Sequence, residues 1–193
     1  MAETTTSSTP VSPGKRWGLM VGGLAVVALL VLLANGMRRD PRELPSALIG
    51  KPLPAFSLPG MQRADPPLTE ADLRGKPRIL NVWASWCVAC QQEHLVLMDL
   101  HRELARKGQA DTLYGVNYKD KPDAARLWLL RGGNPYADSI VDANGRLGID
   151  LGVYGVPETF VLNAEGRIVF RHAGALTADI VRTQIQPLLE VKP

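Results

Sequence analysis

The sequence predicts an α/β domain, a mixed central sheet flanked by helices, preceded by one N-terminal transmembrane helix. Three observations predict it. From about residue 46 onward, apolar runs of strand length alternate with runs of helical period. Near the end the order changes to two strands in succession and a last helix, which calls for a sheet with both parallel and antiparallel members. Residues 17–37, WGLMVGGLAVVALLVLLANGM, carry no charge at all.

Those 21 residues at about 1.5 Å each reach roughly 30 Å, the thickness of a bilayer's hydrocarbon core. A buried core helix would show a polar stripe, and this segment has none. A cleaved leader needs small residues at both −3 and −1 of its cleavage site, whereas LLANGM places Leu32 before Ala34. A retained anchor is therefore expected. Lys15 and Arg16 flank one side and Arg38, Arg39 and Arg42 the other, so charge alone leaves its orientation open. Ahead of it, residues 1–16 are rich in Thr, Ser and Pro without aliphatic periodicity and read as a disordered tail. Behind it, 38–45 is a proline-punctuated linker and 46–191 the folded domain.

Within the domain, RILNVWA (78–84) is a continuous apolar strand of the kind buried on both faces. Residues 87–107 read as a helix, TLYGVNY (112–118) as a second strand, and PDAARLWLLRGG (122–133) as a second helix ended by paired glycines. SIVDANGRLG holds a turn at Asn144-Gly145, and ETFVLNAEGRIVFRHAG reads as an antiparallel hairpin turning at Glu165-Gly166. A last helix covers 177–190. No internal repeat is present.

The formal net charge of +3 is local: residues 1–40 hold four Lys/Arg against two acids, the rest of the chain 18 against 17. The basic surplus sits at the flanks of the apolar segment and gives no support to nucleic-acid binding.

The chain's two cysteines, Cys87 and Cys90, stand with two residues between them in WASWCVACQQEH. A bridge between them closes almost no loop and so stabilises almost nothing; that spacing points to thiol–disulfide exchange or metal binding. Both fall at the first turn of a helix, just beyond the end of a strand. Unpaired N–H groups there favour negative charge and lower a thiol's pKa from ~8.5 into roughly the 3.5–7.5 range. Cys87 is the expected nucleophile, and Cys90 the thiol that resolves the mixed disulfide.

Steps of three and four run back from Leu104, Leu100 and Leu97 through Glu93 to Cys90. Glu93 thus faces the core beneath the cysteines, where it either exchanges protons with Cys90 or makes a local salt bridge. Trp83 belongs to the core, and Trp86 to an apolar lip beside the sulfur. Pro157, in GVPETF, suits a strand beginning, and the residues alone do not say whether Val156–Pro157 is cis. Glu158 reads as a surface carboxylate unless its loop meets the cysteines. His94 shares a helical face with the cysteines, three candidate ligands without an evident fourth. It reads better as a polar residue near the surface, which leaves a copper-binding chaperone as the alternative from a different class.

NVWASWCVAC, followed by GVNYKD, GNPY, DLGVYGVPETFVL and FRHAGAL, resembles the cytochrome c maturation thioredoxins (CcmG/DsbE), a membrane-anchored branch of the thioredoxin superfamily, over roughly residues 40 to 190. The resemblance implies a thioredoxin fold with an inserted segment and a cis Pro157 facing the active-site sulfurs. It places acidic residues at Glu93 and Glu158. It implies a single-pass protein of the bacterial inner membrane, N-terminus in the cytoplasm and catalytic domain in the periplasm. The implied task is a thiol:disulfide oxidoreductase's: keeping the haem-site thiols of apocytochrome c reduced, directly or through a partner maturation thiol protein. Electrons would come from a membrane thiol reductase of the DsbD/CcdA type. No cofactor is implied beyond the redox-active Cys87–Cys90 disulfide, and no metal. Val88 and Ala89 depart from a pattern in which one of these two positions is commonly proline, and the dipeptide tunes thiolate pKa and redox potential. A generic TlpA-like reductase is the nearest alternative. IGKPLPAFSL (49–58) also resembles peroxiredoxin openings.

Overall fold

The computed structural model describes residues 13–37 and 48–190. The chain divides into two units, Met1–Glu43 and Leu44–Pro193. In the first, α1 spans Pro13–Met37; proline suits a helix start, where its missing N–H has no helical partner to lose. The helix begins inside the expected tail. Residues 1–12 of that tail, the expected linker 38–45, and positions 46, 47 and 191 of the expected domain lie outside the described residues. The described side chains of α1, Trp17 and residues 20–34, are all exposed and stop short of the full 17–37 span. Among the described residues, no helix is long and apolar enough to cross a membrane.

The second unit opens with a two-stranded pair, β1 (Ser57–Leu58) and β2 (Leu68–Thr69), and a 3₁₀ turn at Glu70–Leu73. There follow β3 (Arg78–Trp83), α2 (Val88–Arg106), β4 (Leu113–Tyr118), α3 (Pro122–Gly132), β5 (Ser139–Asp142) and α4 (Arg146–Asp150). The hairpin is β6 (Glu158–Leu162) and β7 (Ile168–Ala173), its turn passing through Gly166 at φ 76°. The main sheet runs β5-β4-β3-β6-β7. β3 is parallel to β4 and antiparallel to β6, β4 is parallel to β5, and β6 is antiparallel to β7. This is the mixed sheet the sequence predicts.

Central position explains the apolar run of β3. All six of its residues are buried, because successive side chains enter opposite faces and both faces are covered. Ile79 and Trp83 join a core with Leu97, Leu100 and Leu104 of α2 and Ile185 of the closing helix. Leu80 and Val82 join the other, with Val116, Ile140 and Phe160. Each such side chain, removed from water, contributes on the order of 2 kcal/mol.

Three features differ from the sequence reading. The pair β1/β2, strand β5 and α4 are two to five residues long, too short to carry a legible period. The closing helix is interrupted: α5 (Ala178–Ile180) passes through a π turn (Val181–Ile185) into α6 (Gln186–Leu189). The Gln186 N–H bonds back to the Val181 carbonyl, and Pro187 follows with no N–H to continue a four-residue ladder. His94 is buried rather than near the surface. Its ring lies edge-on to Trp128, with centroids 4.5 Å apart, and its Nε2 is 2.9 Å from the Gly132 carbonyl oxygen. A Cβ on Gly132 would come within 3.0 Å of that nitrogen, so glycine permits the approach.

Candidate active site

β3 delivers the chain to the site. Past its end, Ala84, Ser85 and Trp86 lead to Cys87, which is the N-cap of α2 at φ −87° and ψ 112°. Cys87 and Cys90 form a disulfide with Cα atoms 5.3 Å apart. The backbone N–H of Cys90 donates to Cys87 Sγ at 3.0 Å. A donor at a helix mouth, aimed at a sulfur, favours the thiolate once the bond is reduced. The two residues are 4% and 2% exposed, and Trp86 beside them is 56% exposed. Trp86 Nε1 donates to the Lys119 carbonyl at 3.1 Å, so its ring is held at the rim.

A second loop holds the first in place. The Asp120 carboxylate accepts from the backbone N–H and hydroxyl of Ser85, at 2.6 and 2.9 Å, and from Asn117 Nδ2 at 3.0 Å. Charge-assisted bonds of this kind are about twice as strong as neutral ones. Lys119, whose carbonyl receives Trp86, sits at φ 47° and is the one non-glycine residue with positive φ among the described residues. Such backbone is sparsely populated and persists where its surroundings dictate it.

A third segment closes the other side. The Val156–Pro157 peptide is cis, and the Val156 carbonyl oxygen lies 3.5 Å from Cys87 Sγ. The carbonyl of this cis peptide thus faces the sulfur, and β6 begins at the residue after Pro157. Glu158 is buried, not on the surface: 1% exposed, it accepts from Arg171 Nε at 2.8 Å and from the Tyr154 N–H at 3.2 Å. Its carboxylate can leave water because the facing strand supplies a guanidinium.

Beneath the disulfide, Glu93 is 1% exposed, where helical spacing from Cys90 puts it. Its two oxygens accept from Asn81 Nδ2 at 2.9 Å and the Leu176 N–H at 2.7 Å. Burial pushes its pKa up from 4.5 to about 7, and these two hydrogen bonds hold it from rising further. The local salt bridge that competed with proton exchange is not formed: its partners are neutral. Asn81 and Tyr136, whose hydroxyl donates to Asn81 Oδ1 at 2.7 Å, were not singled out from the sequence. One polar residue inside an apolar strand was the signal for the first. Asp120 and Arg171 carried no local signal.

The arrangement performs dithiol–disulfide exchange, and relatives agree. The Redoxin family matches residues 48–185. The chain is 49% identical over 172 residues to the thiol:disulfide interchange protein DsbE of Pseudomonas fluorescens biotype C, covering 89% of this chain and 92% of that protein. It is 44% identical to DsbE of Escherichia coli K12, covering 86% and 89%. The chain belongs to the DsbE thiol:disulfide interchange proteins. Among solved structures, a DsbF homologue from Corynebacterium diphtheriae matches this DsbE-family chain with a TM-score of 0.64 at 25% identity, over 78% of this chain and 97% of that one. A secreted thiol-disulfide isomerase from Corynebacterium glutamicum matches with a TM-score of 0.63 at 26% identity, over 72% and 86%. The DsbE-family domain is thioredoxin-like, and the chain is a thiol-disulfide oxidoreductase with a Cys-x-x-Cys pair.

Proposed function

We propose that this DsbE-family chain is a membrane-anchored periplasmic reductant that keeps the haem-site thiols of apocytochrome c, or of a partner maturation thiol protein, reduced before haem attachment. The observation that carries the chemistry is the Cys90 N–H aimed at Cys87 Sγ. The reduced protein attacks through the Cys87 thiolate: a bond forms to one sulfur of the substrate disulfide, and the other leaves as a thiolate that takes up a proton. Cys90 then gives its proton to the Glu93 carboxylate and attacks Cys87 Sγ, releasing the second substrate thiolate. Two electrons have passed to the substrate, and the protein is left with the Cys87–Cys90 disulfide. A membrane thiol reductase of the DsbD/CcdA type restores the dithiol.

In the same reading, residues 17–37 form the anchor, with residues 1–16 cytoplasmic and the catalytic domain, 46–191, periplasmic beyond the linker 38–45. Support comes from the uncharged sequence and from a helix whose described apolar side chains are all exposed, a surface that water disfavours and lipid does not. Trp86, Pro157 and Glu158 frame the site that receives the substrate. The test is capture: Cys90→Ser should arrest exchange at the Cys87–substrate mixed disulfide. Isolation of a cytochrome c or a maturation thiol protein in that adduct is the expected result. An adduct set without either overturns the assignment while leaving the exchange chemistry standing.

A further inference from the structure

Glu93 is held only by donors. Asn81 Nδ2 faces one oxygen and the Leu176 N–H the other, an arrangement that suits the ionised carboxylate, because a protonated carboxyl needs an acceptor for its own proton. Whether the Asn81 side chain presents its NH₂ or its oxygen to Glu93 depends on what the far end of the amide meets. There Tyr136 donates its hydroxyl to Asn81 Oδ1 at 2.7 Å. Tyr136 is itself fixed: its ring stacks on Trp83 with centroids 5.6 Å apart, and its N–H donates to Asn134 Oδ1 at 3.0 Å. Turned over, the Asn81 amide would offer its oxygen to a protonated Glu93 and strand the Tyr136 hydroxyl proton in the core. A buried donor without a partner costs about 1–3 kcal/mol.

We propose that Tyr136 is a positioning residue: by engaging Asn81 Oδ1 it keeps the amide NH₂ turned toward Glu93, and so sets the pH at which Glu93 exchanges its proton during thiol–disulfide exchange. The inference rests on the proton-acceptor role of Glu93 proposed above. Glu93 is bonded by Asn81 from β3 and the Leu176 N–H from the segment after β7, with Cys90 one turn earlier on the buried face of its own helix. Thr159 of β6 and Tyr136 of the α3–β5 connection hydrogen-bond to Asn81 rather than to Glu93, and burial together with the Glu93 charge raises the Tyr136 pKa, so the phenol stays neutral while Glu93 titrates. No lysine, arginine or histidine pairs with Glu93 among the described residues, so the orientation of one neutral amide carries weight that a salt bridge would otherwise swamp.

In the oxidised full-length protein the cysteines do not titrate, and the Glu93 carboxyl can be followed by carbon-13 NMR, with Glu93→Gln identifying its signal. The wild-type midpoint is expected near 7. Tyr136→Phe should move it upward by about one pH unit, the worth of one charge-assisted hydrogen bond. Asn81→Leu should also move it upward, and adding Tyr136→Phe to that variant should move it no further, since the amide through which Tyr136 acts is already gone. An unmoved midpoint in Tyr136→Phe, or a further shift in the double variant, overturns the proposal. A separate arm tests the reading beneath it: if Glu93→Gln leaves the pH profile of disulfide exchange unchanged, Glu93 is not the proton acceptor, whatever Tyr136 does to its midpoint.

Discussion

Two glutamates of this domain are equally buried, 1% exposed each, and the structure treats them in opposite ways. Glu158 meets the guanidinium of Arg171, its Oε2 lying 2.7 Å from Nη2. Glu93 meets only the neutral Asn81 amide and the Leu176 N–H. A charge partner makes a buried carboxylate a fixed strut, because removing either ion strands the other. Neutral donors leave the carboxylate close to balance between its two forms, which is what a proton exchanger at the site needs. The strut has a visible load. Arg171 also donates to the Gly152 carbonyl at 2.9 Å and lies over the Tyr154 ring, while Glu158 accepts the Tyr154 N–H. The pair thereby pins the loop that ends at Pro157, against Cys87.

The largest expected effect breaks the strut. Arg171→Met leaves Glu158 in the core with one backbone donor, and should cost about 3–5 kcal/mol in urea unfolding. Adding Glu158→Gln should restore most of that loss, since a neutral amide has no charge to strand. A loss below about 1 kcal/mol, the value of an ordinary exposed pair, would mean that the two glutamates do not differ in kind.

The next effect has the opposite sign and belongs to Glu93. Below about pH 4.5 its carboxyl is protonated both folded and unfolded, and contributes nothing to pH dependence. As pH rises the unfolded chain releases the proton first, while the folded chain holds it up to about 7. Stability of the oxidised protein should therefore fall across that window, by about 3 kcal/mol in all, and level off above it. In Glu93→Gln this fall should vanish. Urea midpoints between pH 4.5 and 8 measure it, and a wild-type curve as flat as that of the variant would remove the raised pKa from the account.

These two residues also show where sequence stops informing. Glu93 was legible because its position follows from the period of one helix: Cys90, Glu93, Leu97, Leu100 and Leu104 are all buried. Glu158 was not, because its burial depends on a partner 13 residues away across a hairpin. Asn81 and Tyr136 are 55 positions apart and Ser85 and Asp120 are 35 apart. Such pairs are created by strand order, and no local pattern announces them. The strands and helices around the motif were read correctly because β3 is a continuous apolar run buried on both faces and α2 buries a regular stripe. The motif itself was legible because a pair of thiols so closely spaced has little structural purpose.

The smallest effect concerns the rim. Trp86 is 56% exposed and its indole N–H donates to the Lys119 carbonyl. Trp86→Ala should therefore change stability by no more than about 0.5 kcal/mol, as is usual for surface positions. Val88, 68% exposed, and Tyr154, 64% exposed, lie on segments that meet at the disulfide, and with Trp86 they offer an apolar border to a docking chain. A peptide disulfide covers that border and a small aliphatic disulfide does not. Loss of the indole should then slow exchange with the peptide on the order of tenfold, about 1.4 kcal/mol, and leave the small disulfide nearly unaffected. Equal slowing of both substrates would mean that Trp86 acts through the Lys119 loop on the geometry of Cys87, and that the rim takes no part in choosing the partner.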